Sequence, residues 1–179
     1  MEGLNPETEK RLKAGRNFKS KYFVLYRTCL SNAWDLLDEA EILAKNQHYA
    51  RAYFLAFTAA EEIGKALVVA DWIYDLASQE DFKMAFKDHK VKLAYLEGVF
   101  SAAYGEPERD RDTLNQDVLL RMDSLYVRKS NEDTPILPTD QVSKELALEM
   151  IAKVQNHLTS ILSAEWLNAP RIGAKALLK

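Results

Sequence analysis

The amino-acid sequence predicts an all-α fold, an antiparallel helical bundle of about five helices. Glycine and proline are scarce, with 6 and 5 copies among 179 residues, which favours long helices over many short strands. Along most of the chain, apolar residues recur at spacings of three and four, the period of one face of a helix. Residues 128–139 contain two prolines and no strand-like alternation, so we expect a loop there.

The predicted helices follow one another with short connections. They span residues 18–45, 51 to about 77, 78–87, 89–103, 114–127, and 139 or 140 to about 168. A break of three residues, 46–48, joins the first two helices and implies an antiparallel hairpin. Phe82 and Phe86 lie four residues apart on the short third helix, and Asp88 can cap the helix after it. We expect four aromatic side chains in the core: Trp34, Phe54, Phe57 and Trp72.

Length and composition indicate one domain without a dividing linker. We expect a flexible N-terminal arm over residues 1–15, a single helical domain over 16–168 and a frayed basic tail over 169–179. The single cysteine excludes an intramolecular disulfide and a multi-cysteine zinc site. A net charge of −3 means that RNA would need a local basic patch. The polar N-terminus and the lack of a long apolar run predict no membrane association and a cytoplasmic protein.

The central helix carries an unusual polar stripe. It is apolar almost all the way round, which is typical of a buried helix. Glu61, Glu62 and Lys65 nevertheless lie within about 100° of one another on the helical wheel. Ionised groups on a buried helix must be paired or hydrogen-bonded, and both glutamates have the spacing to pair with Lys65. The stripe therefore indicates a surface that faces a cleft or a partner.

Three segments of the sequence resemble a known family. They are Ala59–Ala66 (AAEEIGKA), Phe86–Lys92 (FKDHKVK) and Arg121–Val127 (RMDSLYV). The residue types in these segments and the order of the segments are similar to those of the HEPN superfamily of small helical bundles, and more specifically of the AbiV-like abortive infection proteins. The resemblance implies an HEPN-like fold over residues 16–168 and a role in bacterial defence against phage. It also implies a homodimer, because many HEPN proteins are metal-independent ribonucleases whose two subunits line one cleft.

The sequence departs from the ribonuclease signature of that superfamily. The signature is an arginine, four to six residues, and then a histidine, and no histidine follows an arginine at this spacing here. Tyr126 stands where the histidine is expected after Arg121. Whether the chain is an enzyme therefore stays open at this point.

Arg121, His89 and Tyr126 are the candidate catalytic residues. Metal-free cleavage of RNA needs a cation to stabilise charge on the phosphate, and a guanidinium group supplies it in fixed geometry. Imidazole titrates near neutral pH, which makes His89 the candidate general acid or base. Tyr126 can join Arg121 only if the helix loosens there. The competing interpretations are a solvated arginine, a surface histidine and a core tyrosine.

Lys90, Lys92 and Arg128 are the candidate residues for binding the RNA backbone. The two lysines lie near the start of the helix that begins at His89, and a helix N-terminus with nearby lysines suits a phosphate. Arg128 follows Arg121 by seven residues and shares its face if the helix persists. The competing interpretation is a set of solvated basic side chains.

Glu61, Glu62 and Lys65 are expected to orient the other residues. Adjacent carboxylates point about 100° apart on a helix, so they cannot easily hold one ligand. Charge-assisted hydrogen bonds to Arg121 or His89 are the predicted role. A di-metal carboxylate bundle needs two Glu-x-x-His motifs, and neither glutamate has a histidine three residues on. We expect no metal and no cofactor.

Two classes of function follow from the sequence. The first is a dimeric phage-defence effector that acts on RNA or on the translation machinery, as a metal-independent ribonuclease if it is an enzyme. The second is a non-catalytic HEPN module that uses the polar stripe to bind a phage protein, an antitoxin or a nucleotide.

Overall fold

The computed structural model describes residues 6–74, 76–104 and 111–163 of the chain. Its helices are α1 (Pro6–Lys45), α2 (Tyr49–Ile73), α3 (Gln79–Ala85), α4 (His89–Tyr104), α5 (Arg111–Asp123), α6 (Pro138–Gln141) and α7 (Lys144–Leu162). Two short strands, β1 (Arg128–Lys129) and β2 (Pro135–Ile136), form an antiparallel pair. The predicted all-α bundle is thereby confirmed. The predicted basic tail and the last residues of the predicted final helix lie outside the described residues.

Helix α1 is longer than the sequence pattern suggested. It begins at Pro6, so residues 6–15, which were expected to form a flexible arm, are helical. Proline is well accommodated in the first turn of a helix, and the residues after it are mostly strong helix formers. Within α1, Trp34 was expected in the core and is 40% exposed. Residues 1–5 lie outside the described part of the chain.

Helix α2 is the centre of the bundle and packs against α1, α4 and α7. Its fully buried positions are mainly small or β-branched: Ala52, Ala56, Ala59, Ile63, Ala66, Val68 and Val69. Small side chains let the neighbouring helices approach closely, and Phe57, 1% exposed, fills the space between them as predicted. The helix ends at Ile73, a turn earlier than expected.

Side-chain caps fix the boundaries of α3 and α4. Ser78 Oγ accepts from the backbone N–H of Asp81 at 3.1 Å, and the Asp81 carboxylate accepts from the N–H of Ser78 at 3.0 Å. At the next helix, Asp88 Oδ1 accepts from the N–H of Lys90 at 2.8 Å, as the sequence predicted. These caps place His89 at the first position of α4.

The predicted helix over residues 114–127 ends earlier, at Asp123. Ser124 Oγ donates to the carbonyl of Arg121 at 2.6 Å, so a side-chain hydroxyl hydrogen-bonds to a carbonyl group at the end of the helix. The segment that follows was predicted to be a loop and contains the β1–β2 pair, with Asp133 at φ 57° in its turn. Strands of two residues are too short to show an alternating pattern.

The predicted last helix is divided into α6 and α7. Between them, Val142 is extended and 4% exposed, and Ser143 Oγ caps α7 by accepting from the N–H of Leu146 at 3.2 Å. Burial of Val142 and the serine cap together explain the break. Among the described helices, none combines the length and hydropathy that crossing a bilayer requires.

Candidate functional site: a buried glutamate beside a histidine, a lysine and an arginine

The carboxylate of Glu61 lies where α2, α4 and α5 meet, and its side chain is only 4% exposed. Its Oε1 is 2.7 Å from Nδ1 of His89 and 3.7 Å from Nε of Arg121. Its Oε2 is 3.8 Å from Nζ of Lys92. We call these four residues the charge centre. A carboxylate this far from water needs such partners, and they hold the three helices in register.

The His89 ring connects this buried carboxylate to the surface. An ionised carboxylate only accepts hydrogen bonds, so Nδ1 of His89 carries the proton in the 2.7 Å contact. In the neutral ring, Nε2 then holds the free lone pair. The side chain is 44% exposed although its Nδ1 is engaged by the buried Glu61. The pair can therefore accept a proton from a bound molecule, and the carboxylate would stabilise the imidazolium that results.

Arg121 is held beside the carboxylate with its donors poorly satisfied. Its side chain is 11% exposed, and the guanidinium carbon lies 4.8 Å from the centre of the Phe54 ring. Nε is buried and has no hydrogen-bond partner within the described residues. Nη1 donates at 3.7 Å to the thioether of Met122, a weak acceptor. A phosphate oxygen would be a much better partner for this guanidinium than either contact.

Gly64 brings α4 close enough for the charge centre to form. A Cβ atom at this position would lie 2.2 Å from the carbonyl oxygen of Lys92, so only glycine permits the approach. Gly64 follows Glu61 by three residues and shares its face of α2. The backbone of α4 therefore rests directly on α2, with Lys92 buried and His89 one turn before it.

The HEPN model of the AbiV family matches residues 21–159, more than three quarters of the chain. The chain belongs to the AbiV family of HEPN proteins. The match contains the whole charge centre and confirms the resemblance of the three sequence segments. It makes this an HEPN protein of the abortive-infection type. Comparison with curated proteins and with solved structures gives no match.

In this AbiV-family chain, Glu62 and Lys65 do not orient Arg121 or His89. They form an ion pair with each other, and their side chains are 13% and 17% exposed. The pair faces α1, where burial raises the pKa of the Cys29 thiol and the charge of Glu62 raises it further. Of the three residues predicted to orient the site, only Glu61 touches its candidates. The 100° between adjacent carboxylates sends them to different neighbours.

The other predicted residues surround the charge centre without joining it. Lys90 is exposed on the first turn of α4. Arg128 lies beyond the end of α5, so it does not share the face of Arg121, and its ion pair with Asp123 raises the pKa of its guanidinium. Tyr126 also lies beyond the helix and is 56% exposed. Among the described interactions, its side chain has none with Glu61, His89 or Arg121.

Two residues of this site were missed from the sequence. Phe54 was expected in the core but is half-buried and supports Arg121; it precedes Glu61 by seven residues and so lies on the polar stripe of α2. Gly64 is a glycine within a strongly apolar helix, a pattern that often marks a close approach of another backbone. Both signals can be read in the sequence, but the sequence does not show which helix packs against these two positions.

A second polar cluster lies between α4 and α7 of the AbiV fold. Lys153 Nζ donates to Glu97 Oε1 at 2.6 Å, and His157 stacks on Phe100 with ring centres 3.8 Å apart. Burial, with a smaller effect of nearby Lys153, lowers the pKa of His157 to about 3. The adjoining cavity holds about 70 Å³, whereas pockets for drug-sized ligands measure roughly 300–1,000 Å³. This cavity is therefore smaller than a typical pocket for such a ligand.

Proposed function

We propose that this protein is an abortive-infection effector that acts on RNA in the cytoplasm as a metal-independent endoribonuclease. The contact that carries the proposal is the 2.7 Å pairing of His89 with the buried Glu61, beside a guanidinium 3.7 Å from the same oxygen. Carboxylate, imidazole and guanidinium together supply a proton acceptor and a cation for the phosphate. No cofactor is needed for this chemistry.

The proposed reaction is an attack of the RNA 2′-hydroxyl on the adjacent phosphorus. Nε2 of His89 takes the hydroxyl proton while the new P–O2′ bond forms. The P–O5′ bond breaks, and the leaving 5′-oxygen is protonated by solvent. Arg121 binds the phosphate oxygens, on which negative charge builds up. Glu61 stays ionised and holds the imidazolium in place.

The test is cleavage of a fluorescent RNA by the purified protein in excess EDTA. Wild type is expected to cleave, whereas His89→Ala and Arg121→Ala reduce the rate at least about 100-fold, the usual contribution of a general base or of a charge-stabilising donor. His48→Ala is the matched control, because His48 is exposed at the start of α2 and outside the charge centre. Equal background cleavage by wild type and both variants would end the nuclease proposal.

We further propose that the active form is a homodimer built on the end of α5. Four large apolar side chains are exposed there, next to Arg121 in the chain: Leu119, Met122, Tyr126 and Val127, at 60%, 43%, 56% and 60%. A run of exposed apolar residues of this kind marks an interaction site. A second copy would cover it and exclude water from the charge centre. Sedimentation should show a dimer for wild type and a monomer for Leu119→Glu.

The same apolar surface supports a second candidate function, a non-catalytic module that binds a phage protein or an antitoxin. In that case Glu61 serves the fold, since it neutralises the buried Lys92 and Arg121. Capture from infected cells separates the two candidates. A stoichiometric protein partner that is lost in Leu119→Glu and kept in His89→Ala, without RNA cleavage, supports the module.

A further inference from the structure

The connection between α3 and α4 exposes an aromatic ring among lysines. Phe86 is 40% exposed, and the lysines around it in sequence, Lys83, Lys87 and Lys90, are exposed as well. Asp88 is the only acidic residue in the segment 83–92, and its carboxylate is engaged with the backbone at the start of α4. We call Lys83, Phe86, Lys87 and Lys90 the basic–aromatic edge.

The ring of Phe86 has two neighbours, and the side chain remains 40% exposed. Phe82 supports it at 5.2 Å between ring centres, and Nζ of Lys65 lies 6.0 Å from its centroid. An aromatic ring held in this way is a platform for stacking, and every nucleobase has a face that can stack on it. In a duplex those faces are already stacked on each other, so only an unpaired base can use the ring.

The edge lies beside the charge centre. Phe86 precedes His89 by three residues, so their Cα atoms are no more than about 11 Å apart. Lys65 near the ring belongs to the same stretch of α2 as Glu61, one helical turn further on. One RNA strand is therefore long enough to contact both the edge and His89.

We propose that the basic–aromatic edge binds single-stranded RNA, with one unpaired base stacked on Phe86 and phosphates contacted by Lys83, Lys87 and Lys90. The edge thereby limits the charge centre to unpaired RNA. The binding step stands by itself, and only the consequence for cleavage rests on the proposed function.

The test measures binding by fluorescence anisotropy with a 2′-O-methyl oligonucleotide, single-stranded or annealed to its complement. The methyl group removes the nucleophile, so binding is observed without cleavage. Wild type should bind the single strand at least about tenfold more tightly than the duplex. Phe86→Leu keeps an apolar side chain without a π-face and should weaken single-strand binding about tenfold, whereas Phe86→Trp restores it.

Two further variants test whether the effect on RNA binding is specific to Phe86 and whether Lys87 contacts a phosphate. Trp34→Leu is the matched control, because Trp34 is equally exposed at 40% but is followed by Asp35 and Asp38, and its binding should equal wild type. Lys87→Gln should lower the slope of log affinity against log salt by about 0.7, the value for one phosphate contact on a single strand.

Failure of this inference differs from failure of the nuclease proposal. Equal affinity for duplex and single strand, unchanged binding by Phe86→Leu, or no RNA binding at all overturns the inference. Selective binding that Phe86→Leu weakens supports it, even where unmodified RNA remains uncleaved in EDTA. That last result refutes only the nuclease proposal.

Discussion

Replacing Gly64 with alanine should destabilise the protein and open the charge centre. The added methyl carbon would lie 2.2 Å from the carbonyl oxygen of Lys92, and real Cβ contacts essentially never fall below 3.0 Å, so α2 and α4 must separate by at least 0.8 Å. The same displacement would lengthen the 2.7 Å contact between His89 and Glu61 to about 3.5 Å, beyond a good hydrogen bond.

The sign of the stability change distinguishes two effects. Helix propensity alone predicts that Gly64→Ala stabilises the protein by about 1 kcal/mol. Overpacking against a backbone that cannot rotate away costs about 1–3 kcal/mol, and we expect the upper end, with a net loss of about 1–2 kcal/mol. Urea unfolding followed by circular dichroism measures this difference, and the nitrogen shifts of His89 in NMR report whether its Nδ1–H tautomer persists. A variant that is more stable than wild type, with the His89 tautomer unchanged, would refute the reasoning.

Three further predictions concern other buried polar groups. Glu61→Gln should lower the free energy of unfolding by about 3–5 kcal/mol, because the buried cations that Glu61 faces lose their counter-charge. The control is Glu41→Gln, which breaks a surface pair with Lys45 and should cost less than about 1 kcal/mol. The pKa of His157 is lowered to about 3 in the folded protein, so the unfolded chain binds this proton at a higher pH than the folded chain does. The free energy of unfolding should therefore fall by up to about 1.4 kcal/mol per pH unit as the pH drops from about 6.5 towards 3. His157→Phe should remove this part of the acid sensitivity in urea titrations across that pH range. Tyr95→Phe removes the hydroxyl that donates to the buried carboxylate of Asp71 and should cost about 1–3 kcal/mol by the same unfolding assay.

The order of the helices and the meeting of the three motif segments could be predicted from the sequence. Helical periodicity, short connections and the cap at Asp88 are local signals, and the structure contains the elements they indicate. The polar stripe on α2 also indicated correctly that its charges need partners. The sequence also indicated that a carboxylate of the stripe would meet Arg121 or His89, without deciding which carboxylate or which partner.

Which of the candidate residues form the site depends on tertiary contacts, and a local sequence pattern does not reveal such contacts. Glu61 and Glu62 are adjacent and chemically identical, and only the position of α4 decides which of them meets His89. Lys92 was expected to contact a substrate at the surface, but the approach at Gly64 buries it against α2. Arg128 was expected on the face of Arg121, and the end of α5 at Asp123 removes it from that face.

The central claim is that Glu61, His89 and Arg121 together cleave RNA through its own 2′-hydroxyl. Mass spectrometry of the ends formed from a defined oligoribonucleotide in EDTA tests it most directly. Wild type and His48→Ala are expected to form new ends with a 2′,3′-cyclic phosphate, and His89→Ala is expected to form them at least about 100-fold more slowly. Intact RNA with wild type, products that end in a 3′-hydroxyl, or equal products from His89→Ala would contradict it.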